Sequence, residues 1–99
     1  DGEITGCLIS GPYALDNAVS REAAAHKGIE GPVAGEADLL LVPDIEAGNI
    51  LYKALSFLAG ARVAGLIVGA AAPIVLTSRA DSAEAKEDSL ALAVRFAQG

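Results

Sequence analysis

The chain has 99 residues, enough for one small domain with a modest core and too few for a second complete one. It is 53% hydrophobic, with two Tyr, two Phe and no Trp or Met, so its core must come from Ala, Val, Leu and Ile, the usual filling of α/β proteins. A formal net charge of −6 argues against nucleic acid and an anionic membrane surface as partners, since both call for clustered Lys and Arg.

Residues 4–10 form an apolar run closed by Gly11-Pro12, which reads as a buried strand and a turn. Cys7 lies inside it. As the single cysteine it allows no intrachain disulfide and no cysteine metal cluster, which predicts a reducing, cytoplasmic setting and a buried structural thiol. Residues 14–26 predict a helix, with Leu15, Val19 and Ala23 recurring every four residues and Arg21 and Glu22 facing water. Asp16-Asn17 reads as its cap, with contact to a cleft as the alternative. His26, beside Lys27 in the last turn, complements the helix dipole rather than acting as a catalyst. Gly28 ends the helix, residues 29–38 form a loop, and Leu39-Leu40-Leu41-Val42 is a strand expected to be buried on both faces.

Residues 49–61 predict a second helix with Leu51, Leu55 and Leu58 on one stripe, weakened at its end by Gly60. Residues 63–68 are a third buried run, and Ile74-Val75-Leu76 a fourth. The last helix spans about residues 82–97, with Leu90, Ala93, Val94 and Ala97 as its apolar face. No signal peptide is recognisable, and the apolar stretch 63–76 is too short and too broken by Gly and Pro to cross a bilayer, so a soluble protein is expected. Strands and helices alternate, which predicts an α/β fold: a mostly parallel sheet with flanking helices as crossovers. Ligands of such sheets bind beyond the strands' carboxyl ends, and Gly11, Asp44 and Ser78 all follow such ends.

The stretch Leu76-Thr77-Ser78-Arg79-Ala80-Asp81-Ser82 delivers a hydroxyl, a guanidinium and backbone N–H groups near a helix start, a set of donors that suits a phosphate. Asp81 with Glu84 can equally be a capping box and nothing more. Gly48-Asn49 reads as a second helix opening directly after a strand, where backbone approaches an anion closely and the Asn49 amide donates; plain capping by Asn49 is the alternative. Asp44 and Glu46 flank it, either ordering Asn49 or standing in solvent. No cluster has the spacing of metal ligands, so no metal is expected.

Three segments, Gly11-Pro12-Tyr13-Ala14-Leu15-Asp16-Asn17-Ala18-Val19-Ser20, Val42-Pro43-Asp44-Ile45-Glu46-Ala47-Gly48-Asn49 and Leu76-Thr77-Ser78-Arg79-Ala80-Asp81-Ser82, closely resemble in that order the C-terminal part of the phosphate acyltransferases. Within that family they are most similar to the butyryl-transferring branch. The likeness runs through nearly all of residues 1–99, while a typical member is much longer. It implies the C-terminal portion of a phosphate acetyl/butyryl transferase domain, drawn from a fold of two α/β domains around a cleft, similar to the isocitrate dehydrogenase-like fold. It also implies that residues 74–99 pack with the N-terminal domain.

By the same resemblance, Ser78 and Arg79 contact phosphate and stabilise charge on the reacting carbonyl, while Asp44, Gly48 and Asn49 lie at the phosphate or coenzyme A site. Acetyl-transferring relatives carry an aspartate immediately after the position matching Glu84. Ala85 stands there, which favours the butyryl branch and leaves Asp81 as the nearest general base, with helix capping as its alternative role. The implied reaction is butyryl-CoA plus phosphate giving butyryl phosphate plus CoA, with coenzyme A a substrate rather than a bound cofactor. The alternatives are the acetyl-transferring reaction and, from another class, an excised folding or dimerisation fragment without activity. Acyl-CoA and phosphate are the implied partners, with self-association into a homo-oligomer. A decarboxylating dehydrogenase of the same broad fold is disfavoured, because the aspartate cluster for its divalent metal is missing.

Overall fold

Serine and aspartate side chains decide where the helices begin. In the computed structural model, which describes residues 2–99, Ser20 takes an extended backbone (φ −128°, ψ 116°) and its hydroxyl accepts the Ala23 N–H at 3.2 Å. The helix expected over residues 14–26 is therefore two, α1 (Leu15–Val19) and α2 (Arg21–His26), because a serine offers the backbone a local partner that competes with continuing the helix. Asp44 caps α3 (Ile45–Lys53), accepting the Ala47 N–H at 2.7 Å, so this helix starts a turn before the expected Asn49. It continues into a π turn, Ala54–Leu58, and stops at Gly60, whose φ of +67° suits a residue without Cβ. Ser82 caps α4 (Ala83–Ala97) through the Ala85 N–H at 3.0 Å, close to the expected bounds.

The chain divides into two compact units, Asp1–Val42 and Pro43–Gly99. In the first, Asn17 is 2% exposed and sits inside α1 rather than at its cap. Its amide donates to the Ala23 carbonyl at 3.2 Å, its side-chain oxygen accepts from Lys27 Nζ at 3.3 Å, and its backbone carbonyl accepts the Gly35 N–H at 2.8 Å. One asparagine thus joins α1, α2 and the loop that follows, around the buried Ala18, Ala24 and Ala34. His26 stands exposed at the end of α2. Cys7 is exposed, against the expected burial, because residues 4–10 pair with no strand; Leu8 is 71% exposed. Residues 39–42 are not a doubly buried strand either, since Leu41 is 96% exposed.

In the second unit, the expected mostly parallel sheet gives way to a single antiparallel bridge between Ile67 and Ile74, the one pairing among the described residues. The Ile67 N–H donates to the Ile74 carbonyl at 2.9 Å. The physical reason lies in the connection through Ala70-Ala71-Ala72-Pro73: a parallel crossover takes about a dozen residues or more, and so short a link only lets the chain fold back on itself. The expected apolar face of α4 is also not the one that packs. Leu90 and Val94 are exposed, while Ala85 and Ser89 are buried.

That buried side meets residues 62–65. Arg62 grips Asp88 with Nε at 2.6 Å and Nη2 at 2.9 Å, which holds the Asp88 carboxyl below its usual range and the guanidinium above its own. The Ser89 hydroxyl donates to the Ala85 carbonyl at 2.8 Å and accepts the Gly65 N–H at 3.0 Å. Ser89→Ala is expected to cost about 1 kcal/mol by orphaning that N–H, read as a lower urea midpoint for loss of helical signal. An unchanged midpoint would mean that water replaces the hydroxyl at no cost. Among the described residues no helix is long and apolar enough to cross a membrane.

Candidate functional site

Residues 78–81 form a turn held by its own short side chains. The Asp81 N–H donates to the Ser78 carbonyl at 3.1 Å, the Ser78 N–H donates to Asp81 Oδ2 at 2.8 Å, and the Ala80 N–H donates to Ser78 Oγ at 3.2 Å. Asp and Ser favour such turns because their oxygens reach backbone N–H groups two or three residues away. Asp81 therefore closes the turn, and Ser82, not Asp81, caps α4; the capping-box reading with Glu84 does not hold, because the residue three beyond Ser82 is Ala85, whose methyl side chain cannot return the bond. Ser78 and Arg79 are exposed on this turn. Among the described residues Arg79 has no carboxylate within ion-pair distance, so its planar donors are open to an anion.

The second Asp81 oxygen is engaged as well: the Tyr52 hydroxyl donates to Oδ1 at 3.1 Å. The Ser78 N–H, then the Tyr52 hydroxyl and the nearby charges of Lys53 and Lys86, hold the Asp81 carboxyl below its usual range. Partial burial, followed by the hydrogen bond to Asp81 and its charge, pushes the Tyr52 hydroxyl up. Asp81 therefore helps the fold above the ordinary carboxyl pKa of about 3.9, and that help is lost as pH falls through its lower folded value. Beside the turn lies a cavity of about 120 Å³, lined by Tyr52, Phe57, Arg62, Val63, Asp81 and Glu84 among others; neither Ser78 nor Arg79 lines it.

The second predicted site is differently built. Gly48 and Asn49 lie inside α3 rather than at its start, and the Gly48 N–H is already given to the Asp44 carbonyl at 3.1 Å. A free helix N-terminus at Gly48-Asn49 is thus corrected: the capping oxygen is that of Asp44, and Asn49 is an exposed side chain in the second turn. Asn49 and Tyr52 stand three apart on α3 and so share a helix side, and α3 is tied to the turn by the Tyr52–Asp81 hydrogen bond. Tyr52 lies off the apolar stripe of Leu51, Leu55 and Leu58 and is not among the candidate residues named from the sequence. The available signal was a tyrosine one turn after Asn49 on a polar helix side. Among the described residues no group of three or more His, Cys, Asp or Glu could hold a metal ion.

The sequence model of the phosphate acetyl/butaryl transferase family matches residues 3–94. The chain belongs to this family. Among members of the phosphate acetyl/butaryl transferase family, phosphate butyryltransferase of Clostridium beijerinckii is 58% identical over 97% of this chain and 32% of its own length. Phosphate acetyltransferase of Thermotoga maritima is 62% identical over 97% of this chain and 33% of its own length. A branched-chain phosphotransacylase from Enterococcus faecalis V583, known as a crystal structure, is 54% identical with a TM-score of 0.77, covering 86% of this chain and 32% of that one. The chain thus spans about a third of the length of the relatives it matches and folds as a segment of a phosphotransacylase does.

Proposed function

We propose that this chain is the part of a phosphate acyltransferase that carries its phosphate-gripping turn, and that the whole enzyme moves an acyl group between coenzyme A and inorganic phosphate. The observation that carries this reading is Arg79, without an ion pair among the described residues, beside Ser78 on a turn braced by Asp81, in a chain of this family. In the direction from acyl phosphate to CoA, the thiol proton passes to a carboxylate and the sulfur forms a bond to the carbonyl carbon. The bond from that carbon to the phosphate oxygen then breaks. Arg79 and Ser78 hold the departing phosphate and the charge that grows on the carbonyl oxygen. Asp81 is the proposed proton acceptor. It is ionised at neutral pH, and each of its oxygens, though tied to Tyr52 or to the Ser78 N–H, keeps a further lone pair that can take the proton. Asn49, Gly48 and Asp44 are proposed to line the phosphate or coenzyme A side.

Butyryl-CoA is the leading substrate, on Ala85 standing where acetyl-transferring relatives carry an aspartate. Acetyl-CoA is the second, on the 62% identity to an acetyltransferase. The packing of residues 74–99 on the rest of a longer protein, and the association of copies, are supported by the exposure of Leu76, Leu90 and Val94. The lone thiol and the substrates fit a cytoplasmic setting. The exposed runs favour one further reading, that residues 1–99 alone are a folding or dimerisation unit without turnover.

A thiol-release assay tests both. Butyryl-CoA or acetyl-CoA is mixed with phosphate and either these residues or a chain extended to the length of the relatives. The extended chain is expected to release thiol, faster from butyryl-CoA, and the 99 residues to release none. Silence from both chains removes the acyltransferase reading; a faster rate with acetyl-CoA exchanges the substrate.

A further inference from the structure

We infer that Tyr52 is a positioning residue for the reacting turn, its hydroxyl on α3 fixing the Asp81 carboxylate and, through it, the Ser78 N–H at the head of the turn that carries Arg79. This rests on the acyltransfer reading above. The geometry is a bridge: Tyr52 donates to Oδ1 at 3.1 Å while the Ser78 N–H donates to Oδ2 at 2.8 Å, so one carboxylate is held from a helix on one side and from the turn on the other. Remove the hydroxyl, and Oδ1 keeps only water; the carboxylate is then free to rotate about its own bond and release the Ser78 N–H.

A site on a loop is only as exact as what braces it, and displacement by about 1 Å can cost a hundredfold in rate. The Lys53 ammonium lies 5.2 Å from the Tyr52 ring centre and 5.4 Å from that of Phe57, a contact that favours this ring position weakly and adds positive charge near Asp81. Two independent placements meet at Asp81: α3, set by the Asp44 cap, and the turn, set by Ser78. The Tyr52 hydroxyl is the atom that joins them.

Tyr52→Phe keeps the ring and deletes the bridge. On the 99-residue chain, the Asp81 carboxyl carbon followed by NMR is expected to titrate at higher pH in this variant, while the nearby charges of Lys53 on α3 and Lys86 on α4 are kept. In the chain that turns over, kcat is expected to fall at least about tenfold with KM for acyl-CoA within about twofold. In an Asp81→Asn background, Tyr52→Phe is expected to add no further loss. An unmoved Asp81 titration, an unchanged kcat, or losses that multiply in the double variant would each overturn the inference. Should Tyr52→Phe not fold, Asp81→Asn tests the same bond from the other end. The Tyr52 ring signal must then titrate at lower pH, and an unmoved one refutes the link. Silence of the unsubstituted enzyme counts against acyl transfer instead, and is seen without any variant.

Discussion

Arg79→Ala is expected to lower turnover by at least about a hundredfold while leaving the helical content unchanged. The two halves of this expectation have separate sources. Arg79 is exposed and makes no ion pair among the described residues, so the fold does not lean on its charge. The turn's own hydrogen bonds come from Ser78, Ala80 and Asp81 and survive the truncation. What is lost is the guanidinium, which alone on that turn can place two parallel donors on phosphate oxygens. Arg79→Lys is the informative companion: a point charge restores attraction but not the fork, so only part of the rate should return. The check is steady-state kinetics with acyl-CoA and phosphate in the chain that turns over. A rate within a few-fold of the original in Arg79→Ala would take the phosphate site away from this turn.

Gly35→Ala is expected to destabilise the first unit severely, by about 3 kcal/mol or more. A Cβ on Gly35 would lie 2.6 Å from both Cα and N of Arg21, backbone atoms that have nowhere to go, and its φ of +77° is one that side chains rarely take. The same residue gives its N–H to the Asn17 carbonyl, so pushing it away also breaks the loop's bond to α1. Gly28→Ala is the internal control. Its φ is +68° but nothing lies within 4 Å of the new methyl, so it should cost only about 1 kcal/mol, that of the backbone conformation. Thermal unfolding of the two variants, followed through protection of the Ala37 amide, separates clash from conformation. Equal losses in both would mean that the close approach at Gly35 relaxes freely.

The bounds of α4 were legible because its signal is local, a polar stretch of short oxygen-bearing side chains before a run of helix formers, although the cap is Ser82 rather than Asp81 and the packed side is that of Ala85 and Ser89. The break at Ser20 was hidden because Leu15, Val19 and Ala23 keep one period straight through it, and a single hydroxyl outweighs that period. The start of α3 was misread for the opposite reason. Gly48-Asn49 is the conspicuous pair, yet Asp44 behind Pro43 is the better cap, and Glu46 in the first turn agrees with it. The sheet failed most plainly. Apolar runs such as 39–42 state a need for cover on both faces but not the neighbour that provides it. Within the described residues only Ile67 and Ile74 find each other. Tyr52 escaped because its role depends on a residue 29 positions away, which no period or motif encodes.

The unpaired extended runs also bear on how this chain goes wrong. The backbone hydrogen bonds of helices α1 to α4 are local to each helix, whereas residues 4–10 and 39–42 keep rows of free backbone donors and acceptors beside bare Leu and Ile. Such rows are templates on which a second chain can pair. Crowded copies are therefore expected to pair through these runs, and a charged residue placed in either one should weaken that pairing.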